Sequence, residues 1–368
     1  MKKFLIIALI AALAFSAFAC SNTPAEPSQS ATPGSSGVGG SAQIATPEPT
    51  ASVVTGPLSP TTGLPGNGEY RLVQVQIDNE STGRPQYGIQ AADIVYEAMI
   101  EGVDTRLAAI FNDTLPTKVG PVRSARVYFQ MIQNEWDSVF IHDGGPFVAG
   151  FERSYIYSDE NGDDMKARVD GAKVSDENIF WHVTPSIAYA NAQAALDKYG
   201  DYTRTQRDPL FTFDAEVDLS AYPDVEKVNI PFLSSLDHVE YRYDSASDQF
   251  VRYFYGKPFL DAETEEAVTV QNVIVQYVTY ESLGKVEGYR IVLGMTGSGK
   301  AEFFVGGKHM TGTWEKDSRK EATIYKLDDG SDLVLKPGNT WVAVQPDSKN
   351  IVTTYADGTT YPKNGKSS

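Results

Sequence analysis

One segment, residues 105–142, constrains the fold more than any other part of the 368-residue chain. Its first part, residues 105–112, alternates between two faces as a β-strand requires, and a glycine-bearing turn follows at residues 120–126. Ser124 in that turn is placed to cap a helix, and residues 138–142 have the composition of another strand. One face of the predicted helix carries Tyr128, Met131, Ile132 and Trp136. The segment therefore predicts a strand-turn-helix-strand unit.

This unit belongs to a predicted N-terminal domain, residues 57–215, of mixed α/β type. Residues 71–77 and 94–100 alternate as strands do. The short turn after the second of them predicts a hairpin with the strand that begins at Thr105. A Thr-Pro pair predicts the start of a further helix over residues 184–199. Strands and helices are thus expected to be mixed in this half of the chain.

Residues 216–350 have a different character and predict a β-rich C-terminal domain. Short alternating runs are separated by turn dipeptides such as Gly306-Gly307 and Asp329-Gly330, and residues 238–255 predict a hairpin. Residues 351–368 are expected to form a tail. The fold class predicted from the sequence is therefore α+β, with two domains.

The start of the chain predicts export and lipidation. Residues 1–19 combine a basic start with an apolar run of signal-peptide length, and Cys20, the single cysteine, follows at once. A lipid on that cysteine would anchor the protein to the extracytoplasmic face of the cell membrane. Because Ala17 stands where lipoprotein signals usually have leucine, ordinary cleavage to a secreted protein is the alternative. Residues 20–56 are rich in Ser, Thr, Pro and Gly, which predicts a tether.

Positive charge is scarce in this chain, whose formal net charge is −17. That balance argues against nucleic acid as a partner. Against this background, basic and polar residues at the predicted helix start and the adjacent sheet edge predict an anion-binding site. These residues are Arg106, Arg123, Ser124, Arg126 and His142. The alternative is that the arginines pair with local carboxylates and that the histidine is a hydrogen-bonded loop residue.

Carboxylates near this cluster raise the question of catalysis. The predicted hairpin brings Glu97 or Glu101 near Arg106, either as a structural ion pair or as a catalytic carboxylate held by an arginine. The candidates for an acid or base are Glu97, Asp93 and His142. The sequence contains no recognisable nucleophile elbow or Ser-His-Asp triad, so familiar acyl-transfer chemistry is not expected.

Three further patterns resemble ligand sites without completing them. An acidic run over residues 159–170 has Asp164 where a calcium loop needs glycine. Residues 294–300 nearly form a phosphate-binding loop, but Ala301 replaces the residue that would hold magnesium, and a tight hairpin turn explains the glycines. His182 lies among aromatic residues and is expected to be a packed histidine. The sequence therefore predicts neither a metal nor a cofactor.

Short motifs along the chain carry a family resemblance. In the first part they are Ile77-Asp78-Asn79, Arg84-Pro85-Gln86, Gly88, residues 92–97, Glu101-Gly102, Thr105-Arg106, residues 120–126, His142 and Gly144-Gly145. In the second part they are Asn272-Val273, residues 297–300 and Gly312-Thr313-Trp314. Together they resemble the YerB-like family of bacterial lipoproteins over about residues 57–346. The resemblance implies N- and C-terminal family domains, and it implies no established activity.

These patterns together predict a membrane-anchored, extracytoplasmic protein that acts as a binding or accessory component of the cell envelope through an arginine-lined anion site. Its expected partners are the membrane, through the lipid on Cys20, and an anionic envelope glycan or a phosphate-bearing ligand. The alternative is an enzyme that acts on phosphorylated or acidic cell-envelope glycopolymers. No cofactor is expected in either case.

Overall fold

The structure, a computed structural model, describes six ranges of the chain. The described ranges are residues 56–102, 104–145, 167–203, 208–232, 239–285 and 289–362. The predicted signal peptide, Cys20 and nearly all of the tether lie outside these residues. The acidic run over residues 159–170 also lies outside them up to residue 166. The predictions for those segments are therefore not addressed by the fold.

The described residues are mostly β-structure. In chain order, the first half contains β1 (Val73–Asp78), β2 (Ile94–Met99), β3 (Thr105–Phe111), α1 (Val127–Trp136), β4 (Val139–His142), β5 (Arg168–Asp170), β6 (Phe180–Thr184), β7 (Ile187–Ala190), α2 (Ala192–Tyr199), a 3-10 turn (Gly200–Tyr202) and β8 (Thr212–Phe213).

The second half of the described residues continues with strands. They are β9 (Val225–Ile230), β10 (Val239–Asp244), β11 (Gln249–Phe254), β12 (Lys257–Pro258), β13 (Thr269–Val270), β14 (Asn272–Val278), β15 (Tyr280–Ser282), β16 (Ile291–Leu293), β17 (Gly297–Val305), β18 (Lys308–Lys316), β19 (Ile324–Leu327), β20 (Val334–Leu335), β21 (Thr340–Pro346), β22 (Val352–Tyr355) and β23 (Thr360–Tyr361).

A ten-stranded sheet within the described residues joins both halves of the chain, in the order β19-β18-β17-β14-β21-β2-β3-β1-β4-β5. The join is β21, which pairs in parallel with β14 on one side and with β2 on the other. Every residue of β2, β14 and β21 is buried, as is typical of strands that are covered on both faces. The large sheet thus lies in one hydrophobic core that both halves of the chain share.

The two faces of this sheet are covered by different elements. Tyr96 in β2 accepts a hydrogen bond at 2.9 Å from the indole of Trp136 in α1. Its neighbour Glu97 binds Arg252 in β11, because successive side chains of a strand point to opposite faces. A second sheet, in the order β12-β11-β10-β9-β22-β23, therefore covers the face opposite α1. Described residues 351–361, predicted to begin a tail, supply two strands of that sheet.

The N-terminal part is mostly β, so the expectation of a mixed α/β domain is wrong. The predicted strand-turn-helix-strand unit is present as β3, α1 and β4. The helix predicted from residue 184, however, begins only at Ala192, with Asn191 as its N-cap. The preceding residues form the β6–β7 hairpin, in which aromatic and β-branched residues flank a turn at Pro185.

Two local predictions about turns are also corrected. The N-cap of α1 is Arg126 rather than Ser124, and it makes no side-chain capping bond. Residues 297–300 are not a hairpin turn, because they pair along β17 with β18. Gly299 is needed there for space: an added Cβ would lie 2.5 Å from Nε1 of Trp314. That indole donates to the carbonyl of Tyr277 at 2.7 Å, so the close packing of this ring explains the glycine.

Candidate functional site

The predicted anion site lies beside the end of β1, where the turn before α1 crosses it. Nε of Arg123 donates to the buried carboxylate of Asp78 at 2.8 Å, and an Nη of the same side chain donates to the carbonyl of Ser186. The backbone N–H of Arg123 donates to the carbonyl of Gln76 at 2.9 Å. Both the backbone and the side chain of this arginine are therefore fixed to neighbouring strands.

Arg126 and Arg106 are also held by neighbouring groups. Arg126 donates three hydrogen bonds to Glu101, from Nε to Oε1 at 2.9 Å and to Oε2 at 3.0 Å, and from Nη2 to Oε2 at 2.6 Å. Burial alone would raise the pKa of Glu101, but the hydrogen bonds from Arg126 outweigh it and hold the pKa below its usual value. Arg106 donates to the carbonyl of Ser124 at 2.8 Å and lies 3.7 Å from Glu80. These contacts match the alternative of local ion pairs, and ligand contact by these side chains stays a prediction.

The carboxylates of the β2–β3 hairpin do not take the predicted partner. Arg106 lies opposite Ala98, whereas Glu97 lies opposite Leu107. Since cross-strand neighbours share a face and successive residues alternate, Glu97 and Arg106 point to opposite faces of the sheet. Glu101 instead binds the arginine that caps α1. The predicted pairing of either glutamate with Arg106 is wrong.

Glu97 is a fully buried carboxylate whose oxygens are occupied. Its Oε1 accepts from Asn79 Nδ2 at 3.1 Å and from Thr105 Oγ1 at 2.8 Å. Its Oε2 accepts from Trp341 Nε1 at 3.1 Å. Nη2 of Arg252 donates to both oxygens, at 3.1 and 2.9 Å. The geometry is that of an anchor between the two sheets, and a catalytic role of Glu97 stays a prediction.

His142 is fully buried at the end of β4. Its Nδ1 lies 2.8 Å from the carbonyl of Gly144, whose N–H donates to Asp170 at 2.9 Å. Burial lowers the pKa of His142 to about 4, although the carboxylate of Asp170 acts in the opposite direction. The imidazole is therefore neutral near neutral pH and adds no positive charge for an anion. Its predicted roles as a ligand contact and as an acid or base stay predictions.

His182 is not the packed histidine expected from its aromatic neighbours. Its side chain is 41% exposed, and its Nε2 lies 3.1 Å from a carboxylate oxygen of Asp143. The β6–β7 hairpin carries it away from the core, although its ring still contacts Phe180 at a centroid distance of 5.2 Å. The aromatic context alone could not indicate on which side of the hairpin the imidazole lies.

A different arginine lines a cleft between the two sheets. The cleft has a volume of about 50 Å³ and is lined by Asn79, Arg84, Asp104, Thr105, Ile230, Pro231, Phe232, Val239, Phe254 and Tyr255. The guanidinium of Arg84 stacks on the ring of Phe254 at 3.9 Å, and its Nη1 is buried without a hydrogen-bond partner. Among the described residues, no carboxylate lies within ion-pair distance of this side chain.

The sequence gives weak signals for this second arginine site. Arg84 stands in one of the motifs that carry the family resemblance, but no role follows for it from its neighbours in the chain. Arg252 lies within a strand, where an arginine is normally expected on the solvent side. Arg84 and Arg252 come near each other only because the second sheet packs against Glu97.

Two general features of the described residues bear on ligands and anchoring. Within these ranges, no group of three or more His, Cys, Asp or Glu side chains is arranged to hold a metal ion. In the same ranges, no helix has the length and apolar character needed to cross a membrane.

Comparisons with known proteins agree with one another. Models of the "Protein of unknown function (DUF3048)" N-terminal and C-terminal domains match residues 61–207 and 228–342. "Putative lipoprotein YerB" of Bacillus subtilis (strain 168) is 30% identical over 289 residues, which are 76% of this chain and 82% of that protein. The chain belongs to the DUF3048 family. The crystal structure of YerB protein from Bacillus subtilis has 28% identity and a TM-score of 0.66, and the match covers 79% of this chain and 97% of that one.

The family resemblance drawn from the motifs is thus confirmed. The two DUF3048 segments are separate in sequence, yet they share one sheet, because β21 begins within the second segment and pairs with β2 of the first. A site lined by residues of both DUF3048 segments therefore lies within one continuous fold.

The N-terminal DUF3048 segment also contains Asp93, a predicted acid or base. Its side chain is 4% exposed, and a single oxygen accepts from Thr61 Oγ1 at 2.7 Å and from the N–H groups of Asn112 and Asp113 at 2.9 and 3.1 Å. Burial, and then the nearby charge of Asp113, raise the pKa of Asp93 to about 7. The aspartate therefore takes up a proton more readily in the folded than in the unfolded chain.

This raised pKa predicts a pH-dependent stability. Because the folded state binds the proton more tightly, the stabilising contribution of Asp93 is complete below pH 3.8 and is lost as the pH rises through about 7. A shift of this size corresponds to roughly 4 kcal/mol. Asp93→Asn keeps an oxygen for the three donors, and it is expected to flatten the fall in unfolding free energy between about pH 4 and pH 7, measured by denaturant titration.

The matched control for this prediction is Asp113→Asn. It removes the neighbouring charge but retains an oxygen that can accept from Thr62, whose hydroxyl lies 2.7 Å away. It should lower the pKa of Asp93 and reduce the slope only in part. Equal pH profiles of the parent and Asp93→Asn would contradict the assignment.

Proposed function

We propose that this protein is a lipid-anchored binding protein on the extracytoplasmic face of the cell membrane, and that its ligand presents a compact anionic group. The apolar N-terminal run followed by Cys20, and the lipoprotein name of the similar Bacillus subtilis protein, support the anchor. The ligand class is supported by one observation above all. Arg84 lines a cleft with its guanidinium stacked on Phe254 and its buried Nη1 without a hydrogen-bond partner.

Stacking holds Arg84 without using its hydrogen bonds. The contact with Phe254 occupies the face of the guanidinium, whereas its donors point outward in the plane. A buried donor that lacks an acceptor costs about 1–3 kcal/mol, and a carboxylate or phosphate offers acceptors at the spacing of two such donors. The side chain is thus positioned for an acceptor that the described residues do not supply.

The local charge also favours an anion. Burial is the largest cause that lowers the pKa of Arg84, and the positive charge of Arg252 adds to it. Both arginines lie near Glu97, which binds Arg252 directly. One buried carboxylate therefore faces two guanidinium groups. Asp104 adds a second carboxylate at the same cleft, but it is exposed, so water screens its charge more than that of Glu97.

The size of the cleft limits what it can hold. Its volume of about 50 Å³ accommodates a few water molecules. A single carboxylate or phosphoryl group fits that space, whereas a sugar ring does not. The ligand would therefore place only its charged group in the cleft and leave the rest of its bulk outside, which suits a phosphate or acid substituent on an envelope polymer.

The contacts favour binding over catalysis. The enzyme alternative, action on phosphorylated or acidic envelope glycopolymers, has support from Asp93, because a pKa of about 7 suits proton transfer near neutral pH. However, that carboxylate is buried and accepts three hydrogen bonds, and the oxygens of Glu97 are occupied as well. Neither group is free to meet a substrate.

The test is the binding of inorganic phosphate, pyrophosphate and glucuronate to the purified protein by calorimetry and thermal shift. Arg84→Gln is expected to weaken binding of the preferred anion by roughly tenfold to a hundredfold, since a charge-assisted hydrogen bond contributes about 1.5–3 kcal/mol. Lys300→Gln, which removes one charge from an exposed strand position, is the matched control and should bind as the parent does.

Two outcomes would contradict this assignment. If Arg84→Gln binds every anion as tightly as the parent protein does, the cleft is not the site. If Arg123→Gln loses binding instead, the ligand lies at the turn before α1, as the sequence predicts. Equal losses in the Arg84 and Lys300 variants would indicate only a general effect of charge.

A further inference from the structure

A second pocket lies on the C-terminal part of the fold, and its lining residues differ in charge from those of the arginine cleft. It has a volume of about 440 Å³ and is walled by β18, β22, β23 and the segment before β9. Its lining residues are Tyr222, Pro223, His309, Met310, Thr311, Leu327, Asp328, Asp329, Tyr355 and Tyr361. The wall therefore combines three tyrosines with two aspartates and contains neither lysine nor arginine.

A buried chain of hydrogen bonds organises one side of this pocket. Glu302 accepts from the hydroxyl of Tyr277 at 2.7 Å, and its other oxygen lies 2.8 Å from Nε2 of His309. Nδ1 of the same imidazole lies 2.9 Å from the hydroxyl of Tyr355. The imidazole is 4% exposed and stacks on the ring of Phe304 at 4.8 Å, so its position is fixed.

This chain places an acceptor in the pocket. A carboxylate accepts, so Nε2 of His309 donates to Glu302. The hydroxyl of Tyr355 is held against Nδ1 of the same ring. In either direction of that hydrogen bond, the oxygen of Tyr355 keeps a lone pair that can accept from a ligand.

The wall carries further acceptors. The hydroxyl of Thr311 donates to a carboxylate oxygen of Asp328, which leaves lone pairs on both. Asp329 accepts from the N–H and the hydroxyl of Ser331 at 2.9 and 2.6 Å, and these hydrogen bonds hold its pKa below the usual value. Both carboxylates thus keep oxygens that can accept from a ligand.

Neighbouring cations do not neutralise this charge. Lys308 lies 2.6 Å from Asp224, and Lys326 lies 3.4 Å from Asp332, so each has a carboxylate of its own outside the pocket wall. The faces of tyrosine rings are negative and attract cations. Three such rings therefore add to the attraction of two carboxylates.

We propose that this pocket binds a ligand through an ammonium group. The positive charge would lie against the tyrosine rings, and its N–H donors would reach Asp328, Asp329 and the oxygen of Tyr355. A neutral ligand would satisfy the acceptors but gain little from the carboxylates and ring faces. This site and its ligand chemistry are independent of the anion cleft at Arg84.

The test compares glucosamine with N-acetylglucosamine, which have the same ring but differ in whether the nitrogen is charged. Titration calorimetry of the purified protein at low ionic strength is expected to show at least tenfold tighter binding of glucosamine. Asp328→Asn/Asp329→Asn should weaken glucosamine binding by about tenfold, since each exposed charge pair contributes less than a tenfold effect. Tyr355→Phe, which keeps the ring but removes the acceptor, should weaken it by a few-fold.

A matched control separates this site from the general acidity of the chain. Asp197→Asn/Asp244→Asn removes two exposed carboxylates elsewhere, on α2 and at the end of β10, and should leave glucosamine binding unchanged. Arg84→Gln should also leave it unchanged, so failure here is distinct from failure of the anion site. Equal binding of the two sugars, equal losses in both double variants, or no binding of glucosamine would each overturn the proposal.

Discussion

Replacement of Arg252 by methionine is expected to lower the free energy of unfolding by about 3–5 kcal/mol, because it leaves the buried charge of Glu97 without its partner. Both side chains are 0% exposed, and Nη2 of the arginine contacts both carboxylate oxygens. The guanidinium also lies 4.0 Å from the ring of Phe259 and 4.7 Å from that of Trp341. Methionine can fill much of this aromatic space but cannot pair the charge.

The size of this effect is measured by denaturant unfolding, with the buried tryptophans as the fluorescence signal. A loss of 3–5 kcal/mol is a large part of the roughly 5–15 kcal/mol that stabilises a typical domain. The control is Arg252→Met combined with Glu97→Gln, which removes the orphaned charge but keeps an oxygen for Asn79 and Thr105. The double variant should be more stable than Arg252→Met alone. A double variant that is less stable would show that packing around the arginine, rather than charge pairing, dominates.

A comparable loss is expected for Glu135→Ala, at the other face of the large sheet. The carboxylate of Glu135 in α1 accepts from Nζ of Lys316 at 2.9 Å and from the N–H and hydroxyl of Thr323 at 2.9 and 3.1 Å. The side chains of the ion pair are 1% and 0% exposed. Removing the carboxylate leaves an ammonium and a backbone donor buried, so a cost of about 3–5 kcal/mol is expected.

The matched comparison for this variant is an exposed ion pair of the same type. Lys198 in α2 lies 3.0 Å from Asp176, and the two side chains are 50% and 32% exposed. Lys198→Ala should change the unfolding free energy far less, because water and salt screen exposed pairs. Thermal unfolding of both variants at two salt concentrations provides the measurement. If Glu135→Ala were as stable as Lys198→Ala, α1 would not depend on this contact for its attachment.

Strong local patterns predicted most elements of the N-terminal sheet. Alternation over residues 71–77, 94–100 and 105–112 corresponds to β1, β2 and β3, and the short turn between the last two forms the expected hairpin. Where the sequence was compatible with either a helix or a strand, pairing with a neighbouring strand determined which element formed. The Thr-Pro start at residue 184 is compatible with a helix, but the residues after it pair with β6, and the aromatic and β-branched residues of this hairpin favour strands.

The candidate site was harder to predict, because its contacts join distant parts of the chain. Arg106 and Glu97 are near each other in sequence, yet one residue of offset in register sends them to opposite faces of the sheet. The arginine that Glu97 does bind lies 155 residues away. A local sequence pattern indicates which residue types are present, but it does not indicate which distant strand will contact them.

Composition, spacing and motifs were sufficient to predict β1, β2, the unit of β3, α1 and β4, and the family, because these depend on neighbours in the chain. The tertiary structure alone decided which charges are buried, that Arg84 has no carboxylate within ion-pair distance among the described residues, and that His309 orders a pocket with Tyr355 and Glu302. Those properties arise from strand register and from packing of the second sheet on the first. Both are set by the burial of apolar surface over the whole chain, which no short stretch encodes.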